Sequence, residues 1–374
     1  MRGHIRKRGA GYQIVVDIGR DPITNKRKQK SIGGFKTKKE AEKALAEYIS
    51  KIEKGEYFEA EKISLKEFLD HWLETYAKVN VAPKTFIRYK EFCNTINNYI
   101  GHNKLNQIKP AHIQKFYSVL IDEGRLSNST ILKIHRMLHL ALKHAVMWQM
   151  IINNPTEAVT APRVKKTEMS VWDSDTANKF LNDIKETPIY IPTLLALTTG
   201  MRQGEICALK WDNINFSNGT ISVVNSLQRL NGKLVIKPPK TDKSIRNISL
   251  MDFTIKELKE HRKKQLEYKL LFGENYQDEN FVCAWEDGRP MDPHYVSSKF
   301  AKLVKQLNYP KIRFHDLRHT HATMLLQQGV NPKIVQERLG HSQVTVTLDI
   351  YSHVLPNMQK EAVQKLESLF QKKA

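Results

Sequence analysis

The sequence predicts a multi-domain, mainly helical protein. It reads as a small N-terminal β-sheet plus helix module, an all-α four-helix domain, and a mainly helical α+β domain with a small antiparallel sheet. Three observations lead there. The 374 residues exceed the roughly 150 of one ordinary domain. Apolar residues make up 40% and charged residues 26%, enough to bury real cores and to exclude wholesale disorder. The apolar spacing also changes along the chain, across two aperiodic stretches at 56–62 and 156–169.

In the first part, residues 1–58, Tyr12–Ile18 and Arg27–Ile32 read as strands. The turn-forming run Gly19-Arg-Asp-Pro-Ile-Thr-Asn25 joins them, a hairpin signal. Thr37 with Glu40 makes a capping box, and Ala41, Ala44, Leu45, Tyr48 and Ile52 keep helical spacing up to Gly55. In the second part, residues 62–160, Ser64 with Glu67 opens a helix carrying Leu65, Phe68, Leu69, Trp72, Leu73 and Tyr76. Pro83 starts a second helix that stops at Gly101; Pro110–Glu123 is a third and Ser129–Trp148 a fourth. The third part, residues 168–374, holds helices near 174–186 and 202–210, then strands Thr220–Val224, Lys233–Lys237 and Ile245–Leu250. Helices follow over 252–270 and beyond Pro293. At the end, Met358, Ala362, Leu366 and Leu369 predict a short amphipathic tail helix.

The net charge of +21 points to a polyanionic partner, nucleic acid before membrane surface. Residues 1–60, 61–165 and 166–374 each carry an excess of about seven positive charges, so each could touch it. No apolar run approaches the roughly 18 residues of a membrane span. The basic start, Met1–Arg8, leads into no apolar stretch and so is not a signal peptide. Cys93, Cys207 and Cys283 are odd in number and lack CxxC spacing, which argues against a disulfide framework or a cysteine zinc site. The expected compartment is the cytoplasm.

The chemistry concentrates in the third part. Thr199-Gly-Met-Arg202 places an arginine at a helix opening, with Glu205 one turn on. His315 and Arg318, within His-Asp-Leu-Arg-His-Thr, share one face of a helix start. Leu339-Gly-His341 follows, then Tyr351 within Thr-Leu-Asp-Ile-Tyr-Ser-His. Two arginines, two histidines, a lysine at 240 and a late tyrosine suit phosphoryl transfer without a metal. Arginine forks grip phosphate oxygens at any working pH. A tyrosine, whose ordinary pKa is about 10, needs cations and a base before it attacks. Lys243 competes with Lys240 in the same hairpin. His319 and His321 lack carboxylate or cysteine partners at metal-ligand spacing, and His353 reads as exposed.

The order Arg…Lys…His-x-x-Arg…His…Tyr resembles the tyrosine recombinases, the phage integrase family, over essentially the whole chain. Residues 1–58 resemble the arm-DNA-binding domain of integrases from temperate phages and integrative conjugative elements. Residues 62–160 resemble their SAM-like core-binding domain, and 168–374 their catalytic domain. The resemblance implies a site-specific recombinase that integrates and excises a mobile element through a 3′-phosphotyrosyl intermediate and a Holliday junction. Arg202 and Arg318 would clamp the scissile phosphate and His341 would donate a hydrogen bond to it. Tyr351 would attack, His315 would take its proton, Lys240 would protonate the leaving 5′ oxygen, and Glu205 would orient Arg202. Arg6, Lys7, Arg8, Arg27 and Lys28 would contact arm DNA. No cofactor and no metal would be needed, because the phosphotyrosyl bond conserves the phosphodiester energy. Implied partners are double-stranded attachment DNA at core and arm sites, three further copies in a homotetramer, an excision factor and a host DNA-bending protein. The tail helix would dock on a neighbouring copy, the alternative being its own catalytic domain. Two rival readings are a catalytically idle DNA-binding regulator and a type IB topoisomerase, the latter having no use for an arm-binding module.

Overall fold

The computed structural model describes residues 3–20, 26–53, 63–164, 170–238 and 245–341, with isolated helical positions at 363, 366 and 367. The N-terminal module is a three-stranded antiparallel sheet, not a two-stranded hairpin. Its strands are β1 (Gly3–Arg8), β2 (Gly11–Arg20) and β3 (Arg27–Phe35), in that order across the sheet. β1 escaped sequence reading because basic residues occupy most of its positions, leaving Ile5 as its one apolar signal. That Ile5 pairs with Ile14, which also pairs with Ile32, so the three line one face. Helix α1 (Lys38–Glu53) packs there through Ala41, Ala44, Leu45 and Tyr48. The Thr37–Glu40 capping box forms, with Glu40 N–H on Thr37 Oγ1 at 3.2 Å and Thr37 N–H on the Glu40 carboxylate at 3.3 Å.

The helical part follows. α2 (Leu65–Trp72) widens into a π-helical stretch (Leu73–Ala77) and ends as α3 (Lys78–Asn80); then come α4 (Pro83–Ile100), α5 (Pro110–Asp122) and α6 (Asn128–Met147). The Ser64–Glu67 capping box is present. Phe68, Trp72, Ile96, Ile113, Tyr117, Ile134 and Leu138 make the core. Trp72 Nε1 donates to His144 Nδ1 at 2.8 Å, which ties α2 to α6.

The chain divides into two compact units, residues 1–166 and 167–374. The second contains α7 (Ser174–Asp183), α8 (Tyr190–Thr199), α9 (Gln203–Cys207), β4 (Ile214–Asn215) and β5 (Thr220–Val223). It continues with β6 (Ser226–Leu230), β7 (Lys233–Lys237), β8 (Arg246–Ser249), α10 (Asp252–Phe272), α11 (Pro293–Gln306), α12 (Asp316–Gln327) and α13 (Pro332–Leu339). Among its described residues there are two small antiparallel sheets rather than one: β4-β5-β8 and β6-β7. Strand β7 pairs with β6 and β8 with β5; Lys240 and Lys243, expected between β7 and β8, lie outside the described residues. Helix α8 has no polar face; nine of its ten residues are buried, so it shows no helical stripe in the sequence. It runs through the centre of a core that includes Ile206, Ile221, Ile248, Phe300 and Leu317. Helix α9 is shorter than the expected 202–210, since Arg202 caps it and Ala208 closes it. Cys93, Cys207 and Cys283 are free and buried, and burial pushes the first two thiols up to about 12. Among the described residues no helix is long and apolar enough to cross a membrane. The predicted tail helix, apart from the three isolated positions, lies outside the described residues.

Candidate active site

Helix α8 ends at Gly200, whose left-handed φ of 67° turns the chain sharply. A Cβ there would meet the His321 ring and the Leu339 side chain at 2.7 Å, so both conformation and space require glycine. Two residues on, Arg202 is extended (φ −71°, ψ 148°) and caps α9. Glu205 closes that helix start. Its carboxylate accepts the Arg202 N–H at 2.9 Å and Arg202 Nη1 at 2.8 Å. Arg246 Nη2, from β8, donates to the same carboxylate at 2.8 Å. Burial pushes the Glu205 carboxyl up, but Arg246 and then Arg202 more than reverse this and hold it below the usual range.

Ahead of α12, Arg313 bonds to Asp316 through its main-chain N–H and its guanidinium, both at 2.7 Å, and so sets the helix start. His315 thereby becomes the N-cap, with an exposed edge, one turn before Arg318. Arg318 is buried, and its Nη1 and Nη2 donate to Gly200 O and Leu339 O, both at 2.7 Å. Two such bonds fix the plane of the fork. His319 meets His315 edge-on at 5.1 Å.

Helix α13 ends at Gly340, again left-handed (φ 67°), and His341 follows. Three consecutive carbonyls of this turn accept from three different arginines. Arg338 O takes Arg246 Nε at 2.8 Å, Leu339 O takes Arg318 Nη2 at 2.7 Å, and Gly340 O takes Arg202 Nη2 at 3.1 Å. Guanidinium groups suit this place, because the last carbonyls of a helix lack intrahelical partners and carry partial negative charge. Elements 138 residues apart in sequence are thus held to one turn.

The surrounding cations act on the histidines. Packing around the His315 ring, then Arg318, depresses its pKa below the usual imidazole value. Burial, then Arg318 and Arg202, lowers His341 to about 4; burial, then His315, does the same for His319. These rings are therefore neutral near pH 7 and can accept or donate one hydrogen bond at each nitrogen. His321 is structural: its ring contacts Leu197 O through Nδ1 at 2.7 Å and accepts from Arg338 Nε at 3.0 Å. Among the described residues, no group of three His, Cys, Asp or Glu side chains is placed to hold a metal ion. A cavity of about 800 Å³ lies elsewhere, lined by Tyr190, Glu257, His261 and Trp285 among others and by none of the residues above.

The structure thus brings Arg202, Glu205, His315, Arg318 and His341 together. Lys240 and Tyr351, with Lys243 and His353, lie outside the described residues. The five N-terminal cations do not form one surface. Arg6 and Arg8 share the face opposite α1, while strand alternation sets Lys7 on the other. Arg27 donates to Asp17 at 2.8 Å, and Lys28 stands opposite Gly19 on β3. Sequence reasoning missed Arg246 and Arg338. A signal for Arg246 exists: two residues before buried Ile248, it is an arginine at an inward strand position.

Such an array, with two arginine forks beside neutral imidazoles, suits a phosphodiester. Residues 171–358 match the Phage integrase family, 4–52 an Arm DNA-binding domain, and 64–121 the N-terminal SAM-like domain of phage integrases. A XerC-like tyrosine recombinase of Caldanaerobacter subterraneus subsp. tengcongensis is 31% identical across 96% of both chains. The ICEBs1 integrase of Bacillus subtilis is 28% identical, over 96% of this chain and 97% of its own. The solved Tn1549 transposon integrase, in complex with transposon right end DNA, shares the fold with a TM-score of 0.71 at 23% identity. That match covers 82% of this chain and all of the other. The chain belongs to the phage integrase family: it is a tyrosine recombinase, an enzyme of DNA strand cleavage and transfer.

Proposed function

We propose that the chain is an integrase that cuts and rejoins the attachment-site DNA of a mobile element. One observation carries this reading: Arg202, Arg318 and the segment bearing His341 converge on a single turn, with His315 beside Arg318. Arg202 and Arg318 hold the non-bridging oxygens of the scissile phosphate, where charge grows in the transition state. His341 donates a hydrogen bond to the same group. Tyr351 attacks phosphorus and gives its proton to neutral His315. The bond to the 5′ oxygen breaks, Lys240 protonates that oxygen, and a 3′-phosphotyrosyl link remains. Reversal of these steps on a second strand passes through a Holliday junction. Glu205 holds Arg202 in place.

Residues 1–58 take arm sites, while 62–160 and 168–374 take the core site; the arm-domain match over 4–52 supports this division. Four copies act together on two duplexes in the bacterial cytoplasm, with an excision factor and a host DNA-bending protein as further partners. The test is a pool of nicked suicide duplexes of randomised sequence, from which wild-type protein recovers those it traps covalently. Adducts should form with wild type and vanish with Tyr351→Phe at unchanged DNA affinity. Adducts from the Phe variant would exclude Tyr351 as nucleophile. A folded wild type that binds but never forms adducts would be the idle regulator instead.

A further inference from the structure

Arg246 is not among the residues proposed to touch the phosphate, yet it holds two of them at one remove. It sits on β8 with its side chain 7% exposed, against 39% for Arg202. Its Nε donates to Arg338 O, the first of the three carbonyls at the end of α13. Its Nη2 and Nη1 donate to the two oxygens of Glu205 at 2.8 and 3.3 Å. The guanidinium also packs on Gly340, where an added Cβ would lie 3.1 Å from Nη1. One planar fork therefore spans β8, the start of α9 and the turn before His341. A lysine, a single point charge, cannot make all three bonds.

We infer that Arg246 is a positioning residue for strand cleavage: it fixes Arg202 through Glu205, and the turn bearing His341 through the Arg338 carbonyl. This rests on the reading of Arg202 as a phosphate clamp. In the described network Glu205 is neutralised by two arginines. Without Arg246, the buried carboxylate draws on Arg202 alone, and Arg202 swings away from the phosphate.

The experiment uses the full-length chain and a duplex recovered from the randomised pool. That duplex is made both with an ordinary scissile phosphate and with a methylphosphonate, which lacks the negative charge that an arginine clamp neutralises. Arg246→Gln should slow covalent adduct formation about 10–100-fold on the phosphate, at little-changed DNA affinity. On the methylphosphonate its deficit should shrink, as should that of Arg202→Lys. Arg246→Lys, which keeps the charge, should show the same relief in milder form and serves if the Gln variant does not fold. A deficit equal on both substrates would reduce Arg246 to a stabilising role and overturn the proposal. If Arg202→Lys itself gains no relief, the clamp reading fails, and the proposal with it.

Discussion

At the scale of single residues, the buried histidines give the catalytic unit a definite response to acid. Burial, then Arg338, lowers His321 to about 4, and His319 and His341 are lowered to about 4 as well. An unfolded histidine titrates near 6.5, so between about pH 6.5 and 4 the unfolded chain binds protons that the folded chain refuses. Stability present above that window is therefore lost as pH falls through it, by roughly a kcal/mol per pH unit for each such ring. Urea midpoints measured from pH 7 to 4.5 should fall accordingly. His321→Gln should start lower, because glutamine does not fill the space of the buried ring, but decline less steeply. Parallel declines would show that His321 does not titrate in this range. Arg202, His315, Arg318 and His341 were legible because each lies in a short motif whose meaning is local: a glycine before a cap, an i,i+3 pair, a glycine after a helix. Arg246 and Arg338 were not, because their partners lie 17 to 140 residues away and are mostly main-chain carbonyls, which carry no residue signature.

Elements were legible wherever they keep one wet face. The helices α1, α2, α4, α5 and α6 alternate apolar and polar positions at helical spacing, and the starts of the first four stand in the sequence as the caps Thr37 and Ser64 and the first-turn prolines Pro83 and Pro110. Helix α8, buried all round, has no such alternation, and β4, two residues long, is below the length at which a period exists. Boundaries depend on which side chain makes the cap, and α6 offers a clean case. The apolar pattern starts it at Ser129, whereas Ser127 is the cap in the structure, its hydroxyl accepting the Thr130 N–H at 3.3 Å. Ser127→Ala should therefore cost about 1 kcal/mol of stability, the usual value of an N-cap hydroxyl. Ser129→Ala, inside the first turn where alanine is a good helix former, should cost nothing or slightly stabilise. Chemical denaturation of the two variants decides it; the reverse ranking would move the cap.

At the scale of the whole molecule, the even spread of positive charge predicts that binding is divided among parts that can be separated. Each of the three stretches has its own excess, and the N-terminal module has a separate small core of Ile14, Val16 and Ala41 closed by α1. The described members of that core all fall within residues 5–48, so removal of residues 1–58 should leave the remainder folded. A cation that neutralises a DNA phosphate releases a condensed counterion, and the slope of log affinity against log salt falls by about 0.9 for each such cation removed. Exposed Arg6, Lys7 and Arg8 are the first candidates for this role in the module, while Arg27 is partly spent on Asp17. A chain of residues 59–374 should therefore bind and cleave the recovered duplex with a near-normal salt slope. It should fail to hold a second duplex at the same time, which the full chain should do with a steeper slope. Triple substitution of Arg6, Lys7 and Arg8 by Gln in the full chain should mimic the deletion for the second duplex, lowering that slope by up to about three. Loss of cleavage in a well-folded 59–374 chain would mean instead that the N-terminal module serves the core site itself.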